Sequence, residues 1–246
     1  GGKRFRPEII FSIVKGFGIN ESKAYSAALA LEMIQTYSLI HDDLPAMDND
    51  DMRRGKPSCH KAFNEYIALL AGDELLTDSF RVIATSLAYD DYTKVKLIEC
   101  LSDYAGLNGM VYGQELDLTN SSKTINKEEL GLIQEHKTGG LFKIACLMAM
   151  YINREDNKEY YLELGKKIGL IFQNQDDLFD LIKTEEQMGK TKSDVNNDKG
   201  SALVVYSKEE LEELIDYEFK ELDYYLNNAS FDTIYLKKLL EKIRNR

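Results

Sequence analysis

The residues of this chain best able to do chemistry are aspartates, and they gather in two places. Residues 37–54 read YSLIHDDLPAMDNDDMRR, which puts Asp42, Asp43, Asp48, Asp50 and Asp51 beside Arg53 and Arg54. Two bare carboxylates about 4 Å apart repel by roughly 4 kcal/mol at an effective dielectric of about 20, so converging side chains here need cations. The alternative is a solvated acidic helix end. An EF-hand does not fit, because counting from Asp48 puts Met52 at the fifth position and Arg53, not Gly, at the sixth. A second cluster, FQNQDDLFD at 172–180, strengthens the cation reading. At helical spacing Asp176, Asp177 and Asp180 share one face, with Gln173, Phe172 and Gly169 behind them. Ile168, Ile171, Leu178 and Ile182 form the adjoining apolar stripe, so this acidic face borders a core. Two carboxylate groups could then face each other across a cavity.

Hard oxygen ligands without His or Cys suit Mg²⁺, which keeps several waters and prefers a few carboxylates plus substrate phosphate oxygens. The implied substrate is a di- or polyphosphate. Candidate donors to it are Lys3, Arg4 and Arg6 in GGKRFRP, Arg53 and Arg54, Lys137 in KTGG and Lys190 in GKT. Any one of them could equally be a solvated surface cation, but their placement beside glycines or acidic motifs sets them apart as a group. The P-loop pattern GxxxxGK[ST] is absent, and DVNNDKG at 194–200 lacks the glycine and the bidentate ligand of a calcium loop.

The elements that position these residues read as helices. All three prolines, Pro7, Pro45 and Pro57, lie near the start, and beyond them no turn-bounded alternation appears. The chain is therefore all-α, with helices expected at 8–17, 21–45, 60–88, 91–117, 127–152, 156–183 and 207–244. Gly139 and Gly140 should kink the helix 127–152 and expose Lys137 and Thr138. Gly106, Gly109 and Gly113 are read as close-packing positions beside Gln114 and Asp117. No repeat or linker divides the 246 residues, so one domain is expected. A formal charge of -11 argues against nucleic acid. No apolar run is long enough to span a bilayer. Cys59, Cys100 and Cys146 are scattered without a CxxC pair, which fits a reducing, cytoplasmic setting.

Taken together, GGKRFRP at 1–7, DDLPAMD at 42–48, RRGKP at 53–57, GQELDL at 113–118, KTGGLF at 137–142 and FQNQDDLFD at 172–180 resemble the trans-isoprenyl diphosphate synthases. The likeness is strongest to the farnesyl and geranylgeranyl diphosphate synthases and covers essentially the whole chain. It implies the isoprenoid synthase fold, a bundle of mostly antiparallel helices around a deep central cavity. It also implies a homodimer that condenses isopentenyl diphosphate with an allylic diphosphate, dimethylallyl or geranyl, using three Mg²⁺ or Mn²⁺ in their place. By resemblance Asp42, Asp48 and Asp176 are the principal metal ligands, with Asp43, Asp177 and Asp180 completing the motifs. Arg53, Lys137 and Lys190 would hold the allylic diphosphate, with Thr138 and Lys199 nearby, and Lys3, Arg6 and Arg54 the isopentenyl diphosphate.

Loss of diphosphate from an allylic carbon leaves a carbocation, which π faces and amide or hydroxyl oxygens stabilise without capturing. Phe172, Thr138 and Gln173 are the expected neighbours, with Lys137 completing the catalytic group. No protein nucleophile is needed, in keeping with the lack of a persuasive Ser/His/Asp arrangement around His41, His60 or His136. Tyr37 lies five residues before Asp42, about 7.5 Å along a helix at 1.5 Å per residue, so with Ser38 it is placed to floor the cavity. A large aromatic there goes with short products in the family, favouring farnesyl over geranylgeranyl diphosphate.

The chain departs from the family pattern in three ways. Helices that usually precede GGKRxRP are missing, Gln35 stands where relatives place a His that contacts isopentenyl diphosphate, and GSALVV follows Lys199 in place of a Ser/Thr-Tyr pair. The rival readings are a terpene cyclase, which carries a single aspartate-rich motif, and a noncatalytic subunit, which would be expected to have lost metal ligands.

Overall fold

The computed structural model describes residues 2–120, 123–188 and 202–245, apart from the side chains at 183–188 and 204. Helices α1 (Phe5–Gly16), α2 (Tyr25–Asp42), α3 (Cys59–Ala62), α4 (Glu65–Ala84), α5 (Asp91–Ala105) and α6 (Met110–Asn120) come first in chain order. They are followed by α7 (Lys127–Lys137), α8 (Gly139–Ile152), α9 (Lys158–Met188), α10 (Lys208–Leu226) and α11 (Ile234–Arg244). The expected all-α bundle is present. It also contains a small hairpin that helical periodicity did not predict, β1 (Met52–Arg53) paired antiparallel with β2 (Lys56–Pro57).

Packing follows the apolar spacing. On α2 the buried residues Ala27, Ala30, Leu31, Ile34, Tyr37 and Ser38 recur every three or four positions and make one inward stripe. Helix α8 is buried on every side from Gly139 through Met150, which makes it the centre of the bundle. Lys143 in the middle of that helix is accommodated because its ammonium reaches Glu135 at 2.7 Å. Helix α9 lies unusually close to α8. A Cβ at Gly165 would sit 2.5 Å from Lys143 Cα, and one at Gly169 2.7 Å from Gly139 Cα. Among the described residues no helix is long and apolar enough to cross a membrane.

Several helices expected to be continuous are broken, each for a local reason. Asn64 accepts a hydrogen bond from Ile67 N and starts α4 afresh after α3. Gly106, with ψ -141, leaves helical geometry and ends α5, so 91–117 becomes two helices. The expected kink near Gly139 is a full break at Thr138, which separates α7 from α8. The stretch 207–244 divides between α10 and α11.

A buried chain of amides ties three of these helices together behind the cavity. Gln134 of α7 donates to Asn174 Oδ1 at 3.0 Å, and Asn174 of α9 donates to Glu218 Oε2 of α10 at 3.1 Å. Burial pushes the Glu218 carboxyl up to about 7, against the opposing pull of the Asn174 bond and the Lys167 charge. The folded protein therefore holds this proton more tightly than the unfolded chain does. The resulting stability is fully present below the ordinary value of 4.5 and is lost as pH rises through about 7. Glu218→Gln should flatten the fall of Tm across that window. An undiminished slope would show that another group causes it.

Candidate active site

The end of α2, the hairpin, α6, the α7–α8 break and the middle of α9 enclose a cavity of about 700 Å³. Asp42, the last residue of α2, and Asp176 on α9 both line it, so the two aspartate motifs do meet across one space. Burial raises the Asp42 carboxyl to about 6; Asp48 and Asp43 add to the rise, while Lys137 and Arg53 oppose it. Asp48 is exposed and is not among the cavity-lining residues, and partial burial raises its pKa as well. Asp180 is exposed on α9, one turn beyond Asp176.

The second aspartate of each pair faces away from the cavity. Asp43 is almost fully buried and accepts from Arg53, through Nε at 2.8 Å and through a second, shorter bond from Nη2. That interaction raises the Arg53 pKa. Asp177 Oδ2 accepts from Ala202 N at 2.6 Å, and its Oδ1 accepts from Gln173 Nε2 at 2.8 Å. Its pKa rises to about 6 because burial outweighs both bonds. Asp43 and Asp177 are each tied into the fold by these bonds and are not among the cavity-lining residues, whereas Asp42 and Asp176 are.

Cations arrive from several elements. Arg53 and Arg54 both line the cavity. A two-residue turn with positive φ at Arg54 (53°) and Gly55 (74°) joins their strands, the left-handed geometry that suits a tight hairpin. A side chain at Gly2 would run into the Arg54 guanidinium, so the amino-terminal motif sits against that arginine. Burial lowers the Arg54 pKa, and the neighbouring charges of Arg4 and Arg53 lower it further. Lys3 Nζ is 4.0 Å from Asp176 Oδ1. The Arg6 guanidinium stacks over Phe142 at 4.6 Å and over Phe172 at 5.5 Å. Lys137 reaches Asp117 Oδ2 at 2.5 Å. Lys190 and Lys199 lie outside the described residues, as does the loop at 194–200.

The catalytic candidates converge. Lys137, Thr138, Phe172 and Gln173 all line the cavity, and Thr138 Oγ1 donates to Gln173 Oε1 at 2.6 Å. Tyr37, Ser38 and Gln35 line it from α2. Gln35 Oε1 and Gln114 Nε2 are buried there without a hydrogen-bond partner, which leaves polar capacity that a ligand or water can satisfy. Among the described residues no three His, Cys, Asp or Glu side chains converge into a group that could hold a metal ion by itself. A magnesium ion with few protein ligands and several phosphate or water oxygens fits this donor set. Met47, Glu115 and Thr119 also line the cavity. Thr119 follows Glu115 by four residues, one helical turn, and donates to its Oε1 at 3.1 Å, so helical periodicity links those two but does not lead to them from Gln114. Of the histidines, His60 pairs with Ser58 at 3.1 Å, away from the cavity, whereas His41 lines it.

The Polyprenyl synthetase family model matches residues 1–235. The chain is 45% identical over 219 residues to the farnesyl diphosphate synthase of Micrococcus luteus, covering 88% of this chain and 75% of that protein. It is also 43% identical over 195 residues to geranylgeranyl pyrophosphate synthase 7, chloroplastic, of Arabidopsis thaliana, covering 77% and 56%. The crystal structure of a geranyltransferase from Legionella pneumophila superposes with a TM-score of 0.87 at 35% identity, covering 100% of this chain and 83% of that one.

The buried chain from Thr138 through Gln173 and Asp177 to Ala202 carries a measurable energy. Asp177→Ala leaves the Ala202 N–H without its acceptor and should lower unfolding free energy by about 1–3 kcal/mol. Asp180→Ala, at an exposed position of the same motif, should change it by less than about 0.5 kcal/mol. Urea denaturation of both variants checks the contrast, and equal losses would remove Asp177 from its anchoring role.

Proposed function

The chain belongs to the polyprenyl synthetase family, and from that membership we propose that it joins isopentenyl diphosphate head-to-tail to dimethylallyl and then geranyl diphosphate, releasing farnesyl diphosphate. One observation carries this reading: Asp42 and Asp176, from motifs far apart in sequence, line the same cavity together with Arg53, Lys137 and Gln173.

The allylic C–O bond breaks and its electron pair leaves on the diphosphate. The π electrons of isopentenyl diphosphate then form the new C–C bond, and a proton passes from the adjacent carbon to an oxygen of the released diphosphate. Asp42, Asp48 and Asp176 would hold the magnesium ions, with Asp180 at the edge of the set. When bound, magnesium offsets the negative charge that develops on the leaving group. Arg53 and Lys137 bind the allylic diphosphate, and Asp43 and Asp117 fix where their charges point. Arg6, Gln35 and Arg54, which line the same cavity, and Lys3 beside Asp176 take the isopentenyl diphosphate. Lys190 and Lys199 are proposed for the allylic side by resemblance alone. Thr138, Gln173 and Phe172 present oxygens and a ring to the cation. Interactions of this kind strengthen as charge separates, so they act on the transition state more than on the bound substrate.

Tyr37 is buried at the cavity wall, and we assign it, with Ser38, as the floor that stops chain growth at farnesyl. A homodimer completes the reading, supported by the exposed side chains of Phe63, Tyr66, Leu69 and Leu70 before and along α4. The free thiols of Cys59, Cys100 and Cys146 support a cytoplasmic setting.

Purified protein supplied with isopentenyl diphosphate, Mg²⁺ and dimethylallyl, geranyl or farnesyl diphosphate should accumulate farnesyl diphosphate and lose activity on chelation. A predominantly geranylgeranyl product would overturn the product assignment, and no condensation with any partner would overturn the enzyme reading. Asp42→Asn and Asp176→Asn should each lower kcat by about 10²–10³-fold, the scale of losing one preorganised charge-stabilising group. Activity within a factor of two of the wild type in either variant would remove that aspartate from the set.

A further inference from the structure

The floor at Tyr37 is built from more than one ring. Tyr37 and His41 are four apart on α2 and therefore neighbours on its surface. Their rings meet edge to face, with centroids 5.7 Å apart and planes at 77°. His41 is fixed in turn by the backbone of α4, since its Nε2 lies 3.0 Å from the Leu69 carbonyl oxygen. A carbonyl oxygen can only accept, so Nε2 carries the proton and donates. Asp73 Oδ1, at 3.9 Å from the same nitrogen, is too distant for a hydrogen bond.

Gly72 supplies the seat for this ring. Any Cβ at that position would collide with the His41 imidazole, so α4 accepts the ring only where it has no side chain. Leu69 and Gly72 are one turn apart and together make a socket: one supplies the hydrogen-bond acceptor and the other the space. Both Tyr37 and His41 face the cavity.

We infer that His41, seated in the Leu69–Gly72 socket of α4, is a second determinant of product length, acting as a brace that holds the Tyr37 ring across the end of the cavity. This rests on the reading of Tyr37 as the floor. The energetic argument is simple. A side chain packed on one side only can swing to another staggered rotamer when a growing apolar tail presses on it. A ring wedged against a second ring that is itself hydrogen-bonded to a neighbouring helix cannot move without breaking that bond and losing the ring contact.

The test is a product-length measurement on four proteins: wild type, Tyr37→Ala, His41→Ala and the double variant, each with isopentenyl and geranyl diphosphates. Tyr37→Ala should lengthen the product, and if it does not, the floor reading itself fails. Given that lengthening, His41→Ala should raise the geranylgeranyl-to-farnesyl ratio by about tenfold, the scale of discrimination set by a small change in an apolar pocket. Adding His41→Ala to Tyr37→Ala should lengthen the product no further, because the brace has nothing left to hold. A wild-type ratio in His41→Ala, or fully multiplicative effects in the double variant, overturns the brace while leaving Tyr37 as the floor. The ratio is read from whatever turnover remains, so a general loss of rate does not obscure it. If His41→Ala turns over too slowly to read, Gly72→Ala displaces the same ring from outside the cavity. A changed ratio in that variant supports the brace, and an unchanged one overturns it.

Discussion

Negative charge held against an apolar cavity is the condition to which the other features of this protein respond. Burial raises both Asp42 and Asp177 to about 6, yet the protein treats the two carboxylates differently. Asp177 is met by the Gln173 amide and the Ala202 backbone, and Asp43 by the Arg53 guanidinium. Asp42 and Asp176 line a shared space instead, with Lys3 Nζ 4.0 Å from Asp176 Oδ1. Each DD pair thus divides its work. One carboxylate of each pair is tied into the fold and sets the geometry, and the other lines the cavity.

The break between α7 and α8 is the second organising feature. Ending a helix at Thr138 gives up backbone hydrogen bonds, and the last turn of α7 offsets the loss with side-chain ties in several directions. Gln134 reaches Asn174, Glu135 binds both Lys143 and Lys166, Lys137 reaches Asp117, and Thr138 reaches Gln173. Gly113 of α6 lets that turn approach closely, because a side chain there would collide with the Lys137 backbone. These ties bring the Lys137 ammonium and the Thr138 hydroxyl to the same wall as Gln173. A continuous helix through Thr138 would have left the same residues in a different register.

Much of this was legible in the amino-acid order. The three- and four-residue apolar spacing and the early confinement of proline identify a helical bundle, and the i,i+4 relation of Asp176 and Asp180 identifies a carboxylate face. The parts that were not legible depend on partners remote in sequence. Grouping Asp177 with Asp176 by its spacing to Asp180 overlooked the turn of about 100° between neighbours, which sends Asp177 toward Ala202. Gly139 and Gly140 signal a disturbance after Thr138, but that it is a full break goes with contacts the amino-acid order does not show, such as Gly113 of α6 packed against the Lys137 backbone. The hairpin at 52–57 is too short to show alternation. Gly72 looks like a mild defect in α4 until His41 is placed against it.

The hydrogen bonds around Gln173 also set which atoms of Thr138 are left for the cavity. Gln173 donates its Nε2 proton to Asp177, and that fixes its amide so that Oε1 points to Thr138. Thr138 spends its only proton on that oxygen, so the lone pairs of its hydroxyl are left for whatever lies in the cavity it lines. Had Gln173 been reversed, it would have offered N–H to Thr138, and the hydroxyl proton would have pointed toward the substrate and opposed a positive carbon. Asp177 prevents that reversal, because a carboxylate accepts and does not donate. The face of Phe172 is meanwhile shared with the Arg6 guanidinium, which limits what that ring can offer a second cation. In the reaction proposed above, the Thr138 oxygen would be the group best placed to face the allylic charge, its orientation traceable through Gln173 to Asp177.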